Sequence, residues 1–160
     1  MRLKHIVAED FSNYKKPSLF LVSSICDWKC CIEQGLDIGV CQNAPLVSQQ
    51  TKDYSNEQIF EAYQKNDITK AIVIGGLEPM LQFDEVESLI KYFRNYGEDC
   101  EFVIYTGYYP FEIENQIQIL SQYKNIIIKY GRYIPNRQSR YDDVLGVTLV
   151  SDNQYAMRIS

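Results

Sequence analysis

Four short apolar runs, at residues 19–22, 71–74, 102–105 and 126–128, alternate with segments of helical periodicity. This alternation constrains the fold more than any other feature of the chain. Continuous apolar runs of that length, bounded by turn residues, suit strands buried on both faces. The second run ends in Gly75-Gly76 and the third in Thr106-Gly107. Between them, Ser55 with Gln58 resembles a capping box, and Ile59, Phe60 and Tyr63 give the following helix one apolar face. Val86, Leu89, Ile90 and Phe93 recur at helical spacing, with Asp84 as the expected cap and Gly97 as the stop. Ile113, Ile117 and Leu120 mark a third helix within residues 111–123. Residues 147–150 and 155–159 are expected as final strands. Strands alternating with helices predict an α/β fold with a parallel sheet and helices outside. A closed eight-fold barrel typically takes about 250 residues. The 160 residues here therefore predict an open sheet or a partial (open) parallel β/α barrel. No repeat, linker or low-complexity tract divides the chain, so residues 1–160 are read as one domain.

Composition narrows the function classes. The chain is 46% hydrophobic and 23% charged, enough apolar residues for a core. Its net charge of −5 argues against general nucleic-acid binding and against an anionic membrane surface. No stretch approaches the roughly 18 apolar residues of a membrane span. The first ten residues hold no apolar run of signal-peptide length, so a cytoplasmic location is expected.

Five cysteines are present, and four of them (Cys26, Cys30, Cys31 and Cys41) fall within 16 residues. An odd, crowded set reads poorly as a disulfide framework. In a reducing compartment, clustered thiols are metal ligands or catalysts rather than cross-links. They lie in a long segment without clean periodicity that follows the first apolar run. In parallel α/β folds, ligands gather beyond the carboxyl ends of strands. The cysteine segment, residues 75–79, Thr106-Gly107 and residues 129–132 are all expected at that edge. Thiolates select zinc or iron–sulfur clusters. Zinc sites usually show two paired spacings and four ligands; here the second pair is missing and His5 is the only histidine. Three cysteines on an iron–sulfur cluster would leave one iron open to a small molecule.

The chain resembles the radical S-adenosylmethionine family, specifically the small activating enzymes of anaerobic (class III) ribonucleotide reductase. Cys26-Asp27-Trp28-Lys29-Cys30 is similar to the start of the family's three-cysteine motif, and Val40-Cys41-Gln42-Asn43 to the segment carrying its third cysteine. Gly75-Gly76-Leu77-Glu78-Pro79 resembles the family's Gly-Gly-x-x-Pro loop. Tyr105-Thr106-Gly107-Tyr108, the strand end at residues 128–133, and Ser151-Asp152-Asn153-Gln154 match further segments in order. One departure stands out. Ten residues separate Cys30 from Cys41 where the family has two, and Glu33 occupies the ordinary position of the third cysteine. Either the loop carries an insertion and Cys41 is the third ligand, the preferred reading, or Cys31 replaces one of the set.

The resemblance implies that Cys26, Cys30 and Cys41 hold a [4Fe–4S] cluster, with Cys31 as the alternative ligand, and that S-adenosyl-L-methionine is the second cofactor. Val40, Asn43, Gly75, Gly76, Glu78, Thr106, Ser151 and Asn153 are the implied cofactor-binding residues. Val40 stands where many relatives place an aromatic against the adenine, and Glu78 would accept from the methionine ammonium. The implied partners are a glycyl-radical protein, the large subunit of an anaerobic ribonucleotide reductase, and a low-potential electron donor. Two rivals remain: a non-catalytic iron–sulfur electron-transfer or interaction module, and a zinc-binding structural domain. Lys129 is expected to point to solvent, and Cys100 to pack as a small hydrophobe.

Overall fold

The computed structural model describes residues 1–160. Its elements, in chain order, are β1 (Arg2–Asp10), β2 (Ser18–Ser23), α1 (Lys29–Ile32), β3 (Lys52–Asp53), α2 (Asn56–Gln64), β4 (Ala71–Gly75) and α3 (Phe83–Asn95). There follow β5 (Glu101–Tyr105), α4 (Glu114–Leu120), β6 (Ile126–Tyr130), β7 (Arg140–Asp142), β8 (Val147–Leu149) and β9 (Tyr155–Arg158). Seven strands form one open sheet in the order β3-β1-β2-β4-β5-β6-β9, while β7 and β8 pair only with each other.

The four apolar runs are the central strands β2, β4, β5 and β6, and all three pairings between them are parallel. The edges are antiparallel: β1 pairs β2 and β3, and β9 pairs β6. The sheet is thus mixed, with a parallel centre. β1 escapes sequence periodicity because register shifts between Leu3 and His5 and between Val7 and Asp10 interrupt its alternation. Residues 147–149 form a strand as expected, but in the separate hairpin with β7.

Alternate residues of the central strands serve two cores. Leu19, Leu21, Ile72, Ile74, Phe102, Ile104, Ile126 and Ile128 point into the larger one. Ile59 of α2, Val86, Leu89, Ile90 and Phe93 of α3, and Leu120 of α4 cover them there. Val73, Val103 and Ile127 point the other way, under Tyr14 from the β1–β2 connection and Leu145 and Leu149 from the β7–β8 hairpin. Each such buried side chain contributes roughly 1.5–3 kcal/mol relative to exposure.

Local signals set the helix ends. Ser55 Oγ accepts from the Gln58 N–H at 3.1 Å while Gln58 Oε1 accepts from the Ser55 N–H at 2.9 Å, which is the expected capping box. α3 starts one residue before Asp84, which lies in its first turn; Gln82 occupies the cap position. The Gln82 amide is committed elsewhere, accepting from Ser24 and donating to the Arg2 carbonyl. Gly97, at φ 76°, ends α3 in a left-handed conformation that costs glycine little. α4 is shorter than the expected 111–123, because a separate helical turn, Pro110–Glu112, precedes it. No helix is long and apolar enough to cross a membrane.

Candidate functional site

Parallel neighbours bring the carboxyl ends of β2, β4, β5 and β6 to one edge, so the loops leaving them meet. The cysteine segment leaves β2, and Gly76 and Glu78 follow β4. Thr106-Gly107 follows β5, and Lys129 is the penultimate residue of β6. Cys26, Cys30, Cys41, Asn43, Gly76, Glu78, Thr106 and Lys129 all line one cavity of about 150 Å³ there.

Cys26, Cys30 and Cys41 are half-buried, whereas Cys31 and Cys100 are buried. Trp28, held in the left-handed region at φ 60°, starts α1 and aims its N–H at Cys26 Sγ, 3.3 Å away. α1 then carries Cys30 towards the cavity and Cys31 away from it; their sulfurs are 3.8 Å apart. The helical turn Ile38–Val40, capped by Asp37, delivers Cys41. The three thiols are electrostatically unequal. The neighbouring Cys30 thiol, with help from the N–H groups of Asn43 and Ala44, brings Cys41 down to about 6 against its burial. Cys30 is raised correspondingly, first by its neighbour Cys41 and then by burial. Burial pushes Cys26 up to about 12 despite the Trp28 N–H, with Glu78 and Asp27 adding to the rise.

Six contacts tie the cysteine segment to the strand ends. Asn43 Nδ2 donates to the Gly76 carbonyl at 2.6 Å. Tyr108 OH donates to Asp27 Oδ2 at 2.6 Å. Gln34 Nε2 donates to the Tyr133 carbonyl at 2.9 Å, and the Glu78 N–H donates to the Ile25 carbonyl at 2.8 Å. Lys29 Nζ lies 2.7 Å from Glu112 Oε1. Arg132, 4% exposed, pairs with Glu112 at 2.6 Å and with Glu33 at 2.6 Å. Glu33, which stands where relatives have a third cysteine, is therefore half of an ion pair fastening α1 to the segment after β6.

On the strand side, Glu78 is buried and fully engaged. Its Oε1 accepts from the Met80 N–H at 3.0 Å and Thr106 Oγ1 at 2.8 Å, and its Oε2 accepts from the Gly107 N–H at 2.8 Å. Burial lifts its carboxyl to about 6, and these bonds prevent a larger rise. Lys129 is buried in the cavity rather than pointing to solvent, and its Nζ donates to the Gly131 carbonyl at 3.0 Å. Burial lowers its ammonium to about 8, with the charges of Glu78 and Cys30 opposing.

The structure separates the residues expected from sequence. Asn43, Gly76, Glu78 and Thr106 share the cavity with the three thiols. Val40 is 40% exposed and lies off the cavity wall. Gly75 lies inside the sheet, where its carbonyl accepts from Ser23 Oγ at 2.7 Å and an added Cβ would sit 3.1 Å from that of Tyr105. Ser151 exchanges hydrogen bonds with the backbone of Ile134. Asn153 donates to the Arg132 carbonyl at 2.9 Å and, like Ser151, does not line the cavity. Tyr105, Tyr133 and Gln154 also line the cavity; they belong to segments that matched the family but were not among the implied cofactor-binding residues. Lys129 carried a usable signal, a lysine interrupting an otherwise apolar central strand. For Tyr133 and Gln154 the only signal was their place in the matched segments, since both lie in irregular chain.

The donor set fits an iron–sulfur cluster. Three half-buried thiols line one cavity, and thiolates select soft metal centres. In a cluster each thiolate takes its own iron, so donors ring a space, as these three do. The backbone N–H groups directed at Cys26 and Cys41 are the outer-sphere contacts that stabilise ligating thiolates. Comparison with known families agrees: residues 19–155 match the family described as a 4Fe–4S single cluster domain. The chain belongs to this 4Fe–4S family and is an iron–sulfur protein. No curated protein and no solved structure matches it.

Proposed function

We propose that the chain is a small radical S-adenosylmethionine enzyme that installs a glycyl radical on a partner protein, most closely resembling the activating enzymes of anaerobic ribonucleotide reductase. The supporting observation is the cavity itself. Three thiols and no fourth cysteine line it, beside a buried lysine and a buried carboxylate, at the carboxyl edge of four parallel strands. In this reading the sheet is the open form of a β/α barrel, and Cys26, Cys30 and Cys41 hold the cluster. Once bound there and reduced by an external low-potential donor, the cluster would supply the single electron for reductive cleavage of S-adenosylmethionine, the chemistry that a hydrogen abstraction from a partner's glycine would require.

The chain's own residues bind and shield. Lys129 offers a desolvated ammonium to a ligand carboxylate, where a charge-assisted bond is strong. Glu78 holds Thr106 and Gly107 in place through its three accepted bonds, acting as a strut for the wall rather than as a free ammonium acceptor. Gly76, at φ 84°, turns the chain where an added Cβ would meet Val22 Cγ1 at 2.6 Å, so only glycine fits.

The engagement of both Glu78 oxygens favours one competing reading, a non-catalytic iron–sulfur module. Anaerobic reconstitution followed by reduction in the presence of S-adenosylmethionine separates the two. Formation of 5′-deoxyadenosine supports the enzyme, and cluster uptake without the nucleoside refutes it. A glycyl radical signal in electron paramagnetic resonance, on adding a candidate partner, tests the final step.

A further inference from the structure

Beside the thiol-lined cavity lies a second one of about 270 Å³. Residues 147–150, that is β8 and its exit, and residues 41–43 both line it. Cys41, Asn43, Tyr105, Lys129, Tyr133 and Gln154 line both cavities, so the two spaces adjoin and Cys41 borders each of them. None of β7 (Arg140–Asp142) lines the second cavity. It is therefore the edge of β8 turned away from β7 that faces it. The backbone of residues 147–150 makes no hydrogen bond beyond the pairing with β7. An unpaired strand edge is a template for another extended chain, and proteins normally blunt or cover such edges. This one is three residues long and faces a cavity that leads to the thiols.

We infer that residues 147–150 are the docking rail for the substrate polypeptide: an extended segment of the partner protein adds as a strand to the free edge of β8. Strand addition supplies affinity from main-chain hydrogen bonds and specificity from alternate side chains. Along β8, Leu149 is buried in the second core while Thr148 is exposed. The incoming segment would lie beside the exposed Thr148 and Val150 side chains, with Leu149 turned into the core. Gln42 lines the same cavity, so its amide is available to the backbone of the docked segment. A residue carried past Tyr105 enters a space of only about 150 Å³. Taking the docked chain as substrate rests on the activating-enzyme reading; the strand-addition geometry does not.

The test uses cluster-loaded protein under anaerobic conditions and a blocked seven-residue peptide, Ser-Val-Thr-Gly-Thr-Val-Ser, carrying a fluorophore. Polarisation measures binding, and hydrogen exchange with mass spectrometry locates it. Two further peptides carry N-methyl groups on alternate residues, one on each set. Methylation deletes a donor as proline does, and only every second amide of an added strand pairs with its neighbour. The expected result is millimolar or tighter binding, with slowed exchange at residues 147–150. One methylated peptide should bind at least tenfold more weakly and the other like the parent. Equal binding by both, protection confined to other segments, or no binding at millimolar peptide overturns the inference. So does displacement of the peptide by S-adenosylmethionine, or concentration-dependent self-association that protects residues 147–150 without peptide. The same preparation is assayed for 5′-deoxyadenosine. Docking without the nucleoside leaves strand addition standing and removes the enzymatic reading; the nucleoside without docking does the reverse.

Discussion

On the strand side of the thiol-lined cavity, Glu78, Thr106 and Lys129 are 6%, 2% and 6% exposed, and each has protein partners for its polar atoms. On the loop side, Cys26, Cys30 and Cys41 are half-buried and are carried by one short helix and irregular chain. The strand wall is held by the same parallel ladder that builds the core. The loop wall is held by a handful of ties, chief among them the pairing of Arg132 with Glu33 and Glu112. The difference separates two sources of order. The first wall is complete without a cofactor, whereas the second has thiol groups that only a metal can satisfy fully. Cluster binding should therefore stabilise the loop wall far more than the strand wall, because ligation energy becomes folding energy where the site is otherwise loose.

The largest effect that breaks this contrast is loss of a ligand. Cys41→Ser and Cys26→Ser should each reduce iron uptake from about four per chain to a small residue, measured by iron analysis and visible absorption after anaerobic reconstitution. Cys31→Ser should retain the cluster, since Cys31 lies off the cavity. Loss of iron in Cys31→Ser with retention in Cys41→Ser would exchange their roles.

Next comes the main tie between the walls. Arg132→Met strands Glu112, whose side chain is 13% exposed, without its buried partner. Glu112 keeps Lys29 and the Tyr109 N–H, so urea unfolding should show a loss of about 1–3 kcal/mol, the cost of removing charge-assisted hydrogen bonds from a partly buried group. A loss below about 1 kcal/mol would mean that the pair behaves as an exposed one.

Glu78→Gln probes the strand wall alone. The carboxylate accepts three hydrogen bonds, and a glutamine must direct an NH₂ group at one of those donors. The expected loss is about 1–3 kcal/mol in cluster-free protein, the cost of an unsatisfied buried polar group. Iron uptake should stay unchanged, because no thiol depends on Glu78 for its position.

The smallest effect is a pH dependence. Hydrogen bonds from Arg132, with help from Lys29 and the Tyr109 N–H, hold Glu112 near 2, below its ordinary 4.5 and against its burial. The folded state thus binds this proton more weakly than the unfolded chain does. The stabilisation is present above about 4.5 and is lost as the pH falls towards 2. Urea midpoints measured down that range should fall less steeply in Glu112→Gln than in the parent chain. Parallel acid limbs would show that the pair carries no net stabilisation.

Several features were readable from residue order. Continuous apolar runs have one physical outlet in a chain of this size, a strand buried on both faces, and each became a central parallel strand. The Ser55 capping box and the Gly97 stop are local devices and formed where their residues stand. The cysteine crowding and its soft-metal chemistry were also legible, because donor type is a property of the side chain alone. β1 was not, since bulges break its alternation; β9 was expected as a strand, but its antiparallel direction was not readable, because pairing partners are distant in sequence. Nor was the commitment of Ser151 and Thr106 to the protein itself, because a hydroxyl's partner is decided by neighbours distant in sequence.

By itself, then, the sequence determined the alternation of strands and helices, the parallel centre of the sheet and the presence of a thiol cluster beyond its first strand. Tertiary structure alone decided which thiols share a cavity. Cys30 and Cys31 are adjacent in the chain, and only the course of α1 turns one inward to the site and the other into the core. It also decided that Lys129 faces the thiols and that Glu33 pairs with Arg132. The physical reason is the same in each case. Hydrophobic periodicity acts over a few residues and is written in the chain, whereas the direction of a polar side chain is set by desolvation and by partners that meet only when the strand ends assemble.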